Sequence, residues 1–260
     1  MDNKCDISIL MPGIRVAAWP ALYNSICLST KRTFELIICG PAPPPPEMAA
    51  LGNVKFVKDL GNPVRASNIA ALLIEGKYVT WTADDATFFE GSLDLHIDAL
   101  EKLEPTPKNT MVCRYGEGDS TNFPDSMYYI NSTEQISSPF FKDDWMIFNI
   151  AIMNSSYFLE LGGWDSVYET CPIAHLDFAV RAQEDGAVCT LGNGNLFHCS
   201  HMPGRSGDHA PIHDAQLGHD EPLFRERFRD PEWRSKVPSM IDINNWKNSP
   251  RVWTRRFTNE

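Results

Sequence analysis

Apolar and polar positions fall into regular blocks over the first 105 residues, and the blocks predict alternating strands and helices. Residues 7–11 are a continuous apolar run closed by Pro12-Gly13, as expected of a buried strand. Trp19, Leu22, Ile26 and Ser29 then share one helical stripe. Residues 34–39 make a second apolar strand ended by Gly40-Pro41, and residues 54–57 a third. The prolines at 43–46 exclude a sheet interior and predict a rigid surface turn. Asn62-Pro63 has the chemistry of an N-cap followed by proline at the first helical position. The helix it opens is expected to turn Ile69, Leu72 and Leu73 inward and to stop before Gly76. A fourth strand over 78–82, a helix carrying Leu93, Ile97, Leu100 and Leu103, and a fifth strand over 111–114 complete the series. The succession predicts an α/β fold: a mixed, mostly parallel sheet with helices on both faces.

After residue 115 the pattern changes. Residues 115–143 are rich in Gly, Ser, Asn, Asp and Pro and predict an excursion over the sheet edge. The apolar pattern resumes over 145–153, and a helical turn or two at 157–161 ends in Gly162-Gly163. A helix over 174–185 closes on Gly186, and one or two strands occupy 187–198. Beyond them the chain is polar and rich in His, Pro and Arg, with a helix near 221–228. The expected organisation is a domain over 1–205 and an extension over 206–260 wrapped across it.

Composition narrows the functional classes. No apolar run approaches the ~20 residues of a membrane helix, and residues 1–4 are not followed by a signal-like segment. A formal net charge of −11 opposes broad, backbone-driven nucleic-acid binding. Seven cysteines without a CxxC pair read as reduced thiols, which implies a cytoplasmic setting. Four of them, Cys27, Cys39, Cys113 and Cys189, lie in apolar segments and are expected in the core.

The candidate chemistry centres on the fourth strand, which ends in two adjacent carboxylates, Asp84 and Asp85. Strands avoid aspartate, and open α/β sheets bind ligands at the C-terminal ends of their strands. Two hard oxygen donors there suit Mg²⁺ or Mn²⁺ and, through the metal, phosphates; the alternative is that they cap a following helix. His198, Cys199, His201, His209 and His213 also invite a zinc reading, but their spacing fits no regular finger.

Several stretches together resemble glycosyltransferases of the GT-A fold, most closely the family 2 group that uses nucleotide-sugars. Residues 8–12, Leu22 and Ser25-Ile26 follow that family's opening strand and helix, and residues 34–38 its second strand. Asn68 stands eight residues before Gly76, as in the family's Arg-Asn helix, and Asp84-Asp85 falls on its DxD motif. Leu161-Gly162-Gly163-Trp164-Asp165 matches its Gly-Gly-aromatic-Asp turn, and residues 177–181 its second catalytic-helix segment. The resemblance covers roughly residues 7–205.

The resemblance implies a transferase that moves a sugar from a nucleotide-diphosphate donor, a UDP-sugar first among the candidates, to an acceptor hydroxyl with inversion. Pro12, Arg65, Asn68, Asp84, Trp164, Asp165 and Arg205 would bind the donor, and Asp85 with His198 (or His201) would hold Mn²⁺ or Mg²⁺. Some positions depart from the pattern. The family's base-contacting aspartate is Gly40, its first DxD aspartate is Ala83, its arginine before Asn68 is Ser67, and its catalytic Glu-Asp pair is Ala174-His175. His175 and Asp177 are alternative general bases, set about 200° apart on a helix, and Asp177 could instead pair with Arg181. The acceptor is open: a glycan, a small molecule or a modified DNA base. Arg251, Arg255 and Arg256, interleaved with Trp253 and Phe257, could meet an anionic one. Two other readings are a non-catalytic nucleotide- or sugar-binding relative and a nucleotidyltransferase, although Pro12-Gly13-Ile14-Arg15 is sparse for the latter's Gly-rich loop.

Overall fold

The computed structural model describes residues 4–118, 129–131, 146–200 and 210–228. Asp143, Asp144, His201, Arg205, His209 and the basic cluster at 251–256 lie outside them, as does the expected domain boundary near 205.

Three apolar runs become β1 (Cys5–Pro12), β2 (Phe34–Gly40) and β3 (Val54–Lys58), joined in parallel. Between β1 and β2 lies α1 (Trp19–Ser29), entered through a short 3-10 turn over Val16–Ala18, and the predicted stripe Trp19, Leu22, Ile26, Ser29 is buried. The proline run does not stay a simple turn: Pro45 caps a four-residue helix, α2 (Pro46–Ala49). A longer helix, α3 (Pro63–Ala71), starts as expected, with the Asn62 side chain accepting the Arg65 N–H. The inward face is different. Val64, Ala66, Asn68, Ala70 and Ala71 are buried, whereas Leu72 is 52% and Leu73 36% exposed. The helix ends at Ala71, so the two leucines fall in its terminal turn and leave the core-facing stripe.

The pivotal strand is β4 (Gly76–Trp81), parallel to β1. It leads not into a helix but into a short strand, β5 (Ala86–Phe88), so neither aspartate is a helix cap. Then follow α4 (Ser92–Glu101), β6 (Asn109–Glu117), β7 (Tyr129–Asn131), β8 (Met146–Phe148), β9 (Ile150–Asn154), α5 (Ser155–Glu160) and α6 (Cys171–Glu184). A twelve-residue strand, β10 (Val188–Cys199), completes the sheet with irregular register between Leu191 and Phe197. Beyond it come α7 (Ala210–Ala215), a π-helical turn over Gln216–Asp220, and α8 (Glu221–Phe228).

The main sheet runs β3-β2-β1-β4-β9-β6-β10-β5, with β9 antiparallel to both neighbours and β5 antiparallel to β10. Helices cover it, and the architecture is the mixed, mostly parallel α/β arrangement expected. Strand order reverses between β1 and β4, the place where open α/β sheets form a crevice. All seven cysteines are free; Cys39 and Cys113 are buried as expected, but Cys27 is exposed and Cys189 half-buried. Among the described residues no helix is long and apolar enough to cross a membrane.

Candidate functional site

A cavity of about 580 Å³ opens at the C-terminal ends of the strands, between the β1 and β4 tips. Nearly every parallel strand contributes to it: Pro12 to Arg15 after β1, Gly40 from β2, Asp59 after β3, Thr82 to Asp85 after β4, Glu117 from β6 and Cys199 from β10. Ser67 of α3, Cys171 and His175 of α6, and Ile212, His213 and Gln216 of the C-terminal segment close the walls.

Two glycines meet where the first two strands end. A Cβ on Gly40 would stand 1.9 Å from the Gly13 carbonyl oxygen, so this position admits no side chain. Gly13 in turn packs its backbone on Trp19, which a Cβ would approach to 2.8 Å. The absence of an aspartate at position 40 is therefore a packing requirement. A carboxylate next to this position is Asp59, whose N–H donates to the Gly40 carbonyl and which holds Arg65 through Nε and Nη2 at 2.9–3.0 Å. Asp59 lines the cavity and is paired with Arg65, which does not line it.

At the β4 tip the two aspartates differ. Asp84 is 4% exposed and holds three donors: Oδ2 accepts the N–H groups of Ile14 and Arg15 at 2.6 Å each, and Oδ1 takes the Arg15 guanidinium at 2.5 Å. It ties the β1 loop to the β4 tip. Asp85 faces the same guanidinium at 4.0 Å and approaches the Ser200 hydroxyl at 3.4 Å. His198 lies on the strand between Phe197 and Cys199, which both line the cavity, while its own Nε2 contacts the Gly118 carbonyl. Alternation along the strand turns it to the other side. Among the described residues, no three His, Cys, Asp or Glu side chains are gathered as a metal cluster.

The residues that carry the family resemblance around α6 are joined to one another by hydrogen bonds and packing. Asn68, fully buried, donates to the Trp164 carbonyl at 2.7 Å and accepts the Trp164 N–H at 3.1 Å. Trp164 is 1% exposed and meets Trp81 edge-to-face, with ring centroids 5.0 Å apart, and it also packs on Phe158, His175 and Phe178. Asp165 accepts the Arg227 guanidinium and the Val167 N–H. Asp177 is fully buried and pairs with Arg181 at 2.8 Å, and Arg181 donates onward to the Leu161 and Gly163 carbonyls. Gly162 and Gly163 adopt φ of 81° and 67°, which the turn needs. None of Asn68, Trp164, Asp165 or Asp177 lines the cavity.

His175 alone of the two base candidates reaches the cavity. Burial lowers its imidazole pKa to about 3, so the ring is neutral. For Asp177 burial outweighs the opposing pull of Arg181 and raises the carboxyl to about 6. Burial pushes the thiols of Cys39 and Cys171, both in the cavity wall, up to about 12 and keeps them from acting as thiolates.

The C-terminal segment is fastened beside this unit. Asp220, fully buried, accepts the N–H groups of Glu169 and Thr170 and the Thr170 hydroxyl, at the entrance of α6. Phe224 packs on Tyr168, which burial holds well above the usual phenol range.

Of the sequence-predicted residues, Pro12, Asp84, Asp85 and His175 come together here. Arg15, Asp59, Glu117, Ile212 and Gln216 were not anticipated as site residues, while Cys199 and His213, which also line the cavity, were named only in the zinc reading. The rule that singled out Asp84-Asp85, polar groups at strand C-termini, would have found Arg15, Asp59 and Glu117 had it been applied to every strand.

No protein-family model matches the chain, and no curated protein is similar to it in sequence. Solved structures are similar in shape. S. aureus TarS 1–349 superposes with a TM-score of 0.55 at 11% identity, over 95% of this chain and 80% of that one. TarS 1–349 in complex with UDP gives 0.55 at 13%, over 90% and 75%. A further structure of S. aureus TarS gives 0.55 at 12%, over 86% of this chain and 42% of that one. At such identities the likeness establishes the fold, which is GT-A-like.

Proposed function

We propose that the chain is a glycosyltransferase that takes a sugar from a nucleotide-diphosphate donor, a UDP-sugar in first place, and passes it to an acceptor hydroxyl with inversion. The observation that carries this reading is the cavity itself: about 580 Å³, at the strand-order reversal, walled by a tip of paired carboxylates and an arginine. One of the similar structures is TarS in complex with UDP, which supports UDP as the nucleotide to try first.

In this reading the nucleoside lies toward Gly13, Gly40 and Asp59, and the diphosphate toward Arg15. His175 accepts the acceptor's proton. Burial lowers its pKa and keeps the ring neutral, the form that takes a proton as the new C–O bond forms. Asp177 and its motif partners shape the wall from beneath. The Mn²⁺ or Mg²⁺ expected from the family pattern meets an unwelcoming donor set: Asp84 is spent on three donors, a guanidinium stands 4.0 Å from Asp85, and His198 is engaged elsewhere. No step is assigned to a metal.

A second reading, a nucleotide-binding protein without turnover, is favoured by the burial of Asp177 and the weak basicity of His175. Thermal stabilisation by UDP, GDP, dTDP and CMP tests binding common to both readings. One nucleotide should raise the melting temperature of the wild type and fail to do so for Ala83→Trp, which fills the cavity wall. No stabilisation by any of them would remove both readings.

A further inference from the structure

The β4 tip holds a cation already, and the cation is part of the chain. Asp84 accepts two backbone N–H groups of the β1 loop and the guanidinium of Arg15. The same Nη1 stands 4.0 Å from Asp85, so one guanidinium spans both carboxylates. A tightly bound Mg²⁺ or Mn²⁺ wants close oxygen donors in near-octahedral order, at roughly 2.1 Å for Mg²⁺. Here one carboxylate already holds three donors, one of them a guanidinium, the other faces the same positive charge, and position 83, where a further donor would sit, is alanine. The residues present do not fit such an ion.

We propose that Arg15 makes the cationic contact to the diphosphate of the donor, in the place the family pattern gives to a divalent metal. This rests on the nucleotide-sugar reading above and specifies how that site holds its phosphates. Arg15 lines the cavity just past the β1 tip, beside the strand-order reversal. Its planar fork matches phosphate oxygens in a way a point charge does not. It is also pre-ordered: its backbone N–H and its side chain are held by the same carboxylate, so little ordering entropy is left to lose on binding. Asp84 is then a positioning residue that aims Arg15. In the transfer the bond from the sugar C1 to the β-phosphate oxygen breaks and its electron pair leaves on that oxygen. The acceptor oxygen forms the new bond to C1, and its proton passes to His175. Arg15 meets the charge that grows on the departing diphosphate.

The test is calorimetric titration of the full chain with UDP and, separately, with uridine, in EDTA and again with Mn²⁺ or Mg²⁺. Wild-type protein should bind UDP in EDTA, with metal changing the affinity by less than about threefold. Arg15→Gln should weaken UDP by about 10- to 100-fold, the range of a lost charge-assisted contact, and leave uridine unchanged. Arg15→Lys should restore part of the loss. Uridine binding separates a phosphate contact from simple loss of loop structure. If Arg15→Gln weakens uridine as much as UDP, Arg15 is structural and the proposal falls. If UDP binds only with metal and survives Arg15→Gln, the proposal falls while the nucleotide-sugar reading stands. If neither UDP nor another nucleoside diphosphate binds under any condition, both fall.

Discussion

Replacing Asp177 by asparagine separates a catalytic aspartate from a structural one. Asp177 and Arg181 have side chains 0% and 4% exposed, joined at 2.8 Å, and Arg181 ties α6 to the Leu161 and Gly163 carbonyls. Asp177→Asn keeps the shape and one acceptor oxygen but leaves the guanidinium charge buried without its counter-charge. Removing one partner of such a pair costs about 3–5 kcal/mol. The asparagine also relieves the burial that raises the carboxyl to about 6, which places the expectation at the low end, about 3 kcal/mol. With roughly 2–4 °C per kcal/mol for a chain of this size, the melting temperature should fall on the order of 6–12 °C. Differential scanning calorimetry measures the fall, and UDP titration well below the melt checks that nucleotide affinity is kept. A variant that melts within about 2 °C of wild type yet loses sugar transfer would refute the reasoning and make Asp177 the base.

Three further perturbations follow from the same geometry. Gly40→Ala should destabilise by more than about 2 kcal/mol in urea, because its Cβ would stand 1.9 Å from the Gly13 oxygen, and should abolish UDP binding by shifting the Arg15 loop; a wild-type midpoint would contradict the packing argument. His175→Phe should gain acid tolerance. Burial lowers the native imidazole pKa from 6.5 to about 3, so the unfolded chain takes up a proton that the native one refuses, and stability is lost as pH falls below about 6.5. The urea midpoint of the variant relative to wild type should therefore rise between pH 7 and pH 5, and a pH-independent difference would count against a buried neutral ring. Asn68→Ala strands both Trp164 backbone groups, and should cost about 2–4 kcal/mol without changing uridine affinity; the pair of measurements tells a strut from a ligand.

Much of the fold was legible because burial imposes periodicity. The α1 stripe, the Asn62 cap and the buried strands were written as apolar spacing and capping chemistry. Leu72 and Leu73 misled because a helix pattern does not say which turn is its last, and β5 was hidden behind two aspartates that look like a helix start. The site was legible only where it ends a strand. Asp84 and Asp85 stood out against an apolar run, but nothing local says that Asp84 is turned to the β1 loop and Arg15 toward the cavity. The motif residues keep a family-like order; the Asp177–Arg181 pair follows from i,i+4 spacing, but Asn68, Trp164 and Asp165 make hydrogen bonds across long sequence separations. Such roles depend on partners 96 and 62 residues away, which spacing alone does not reveal.

The central claim, that the strand-tip cavity turns over a nucleotide-sugar, is tested most directly by nucleotide release. The full chain would be incubated with UDP-, GDP-, dTDP- and CMP-sugars, and free nucleotide measured for wild type and for His175→Phe, which removes the base of this reading. The account predicts release from one donor class, UDP-sugars first, at a rate that the variant loses. Release from no donor by a protein that binds UDP would contradict it and leave a binding protein built on a transferase fold.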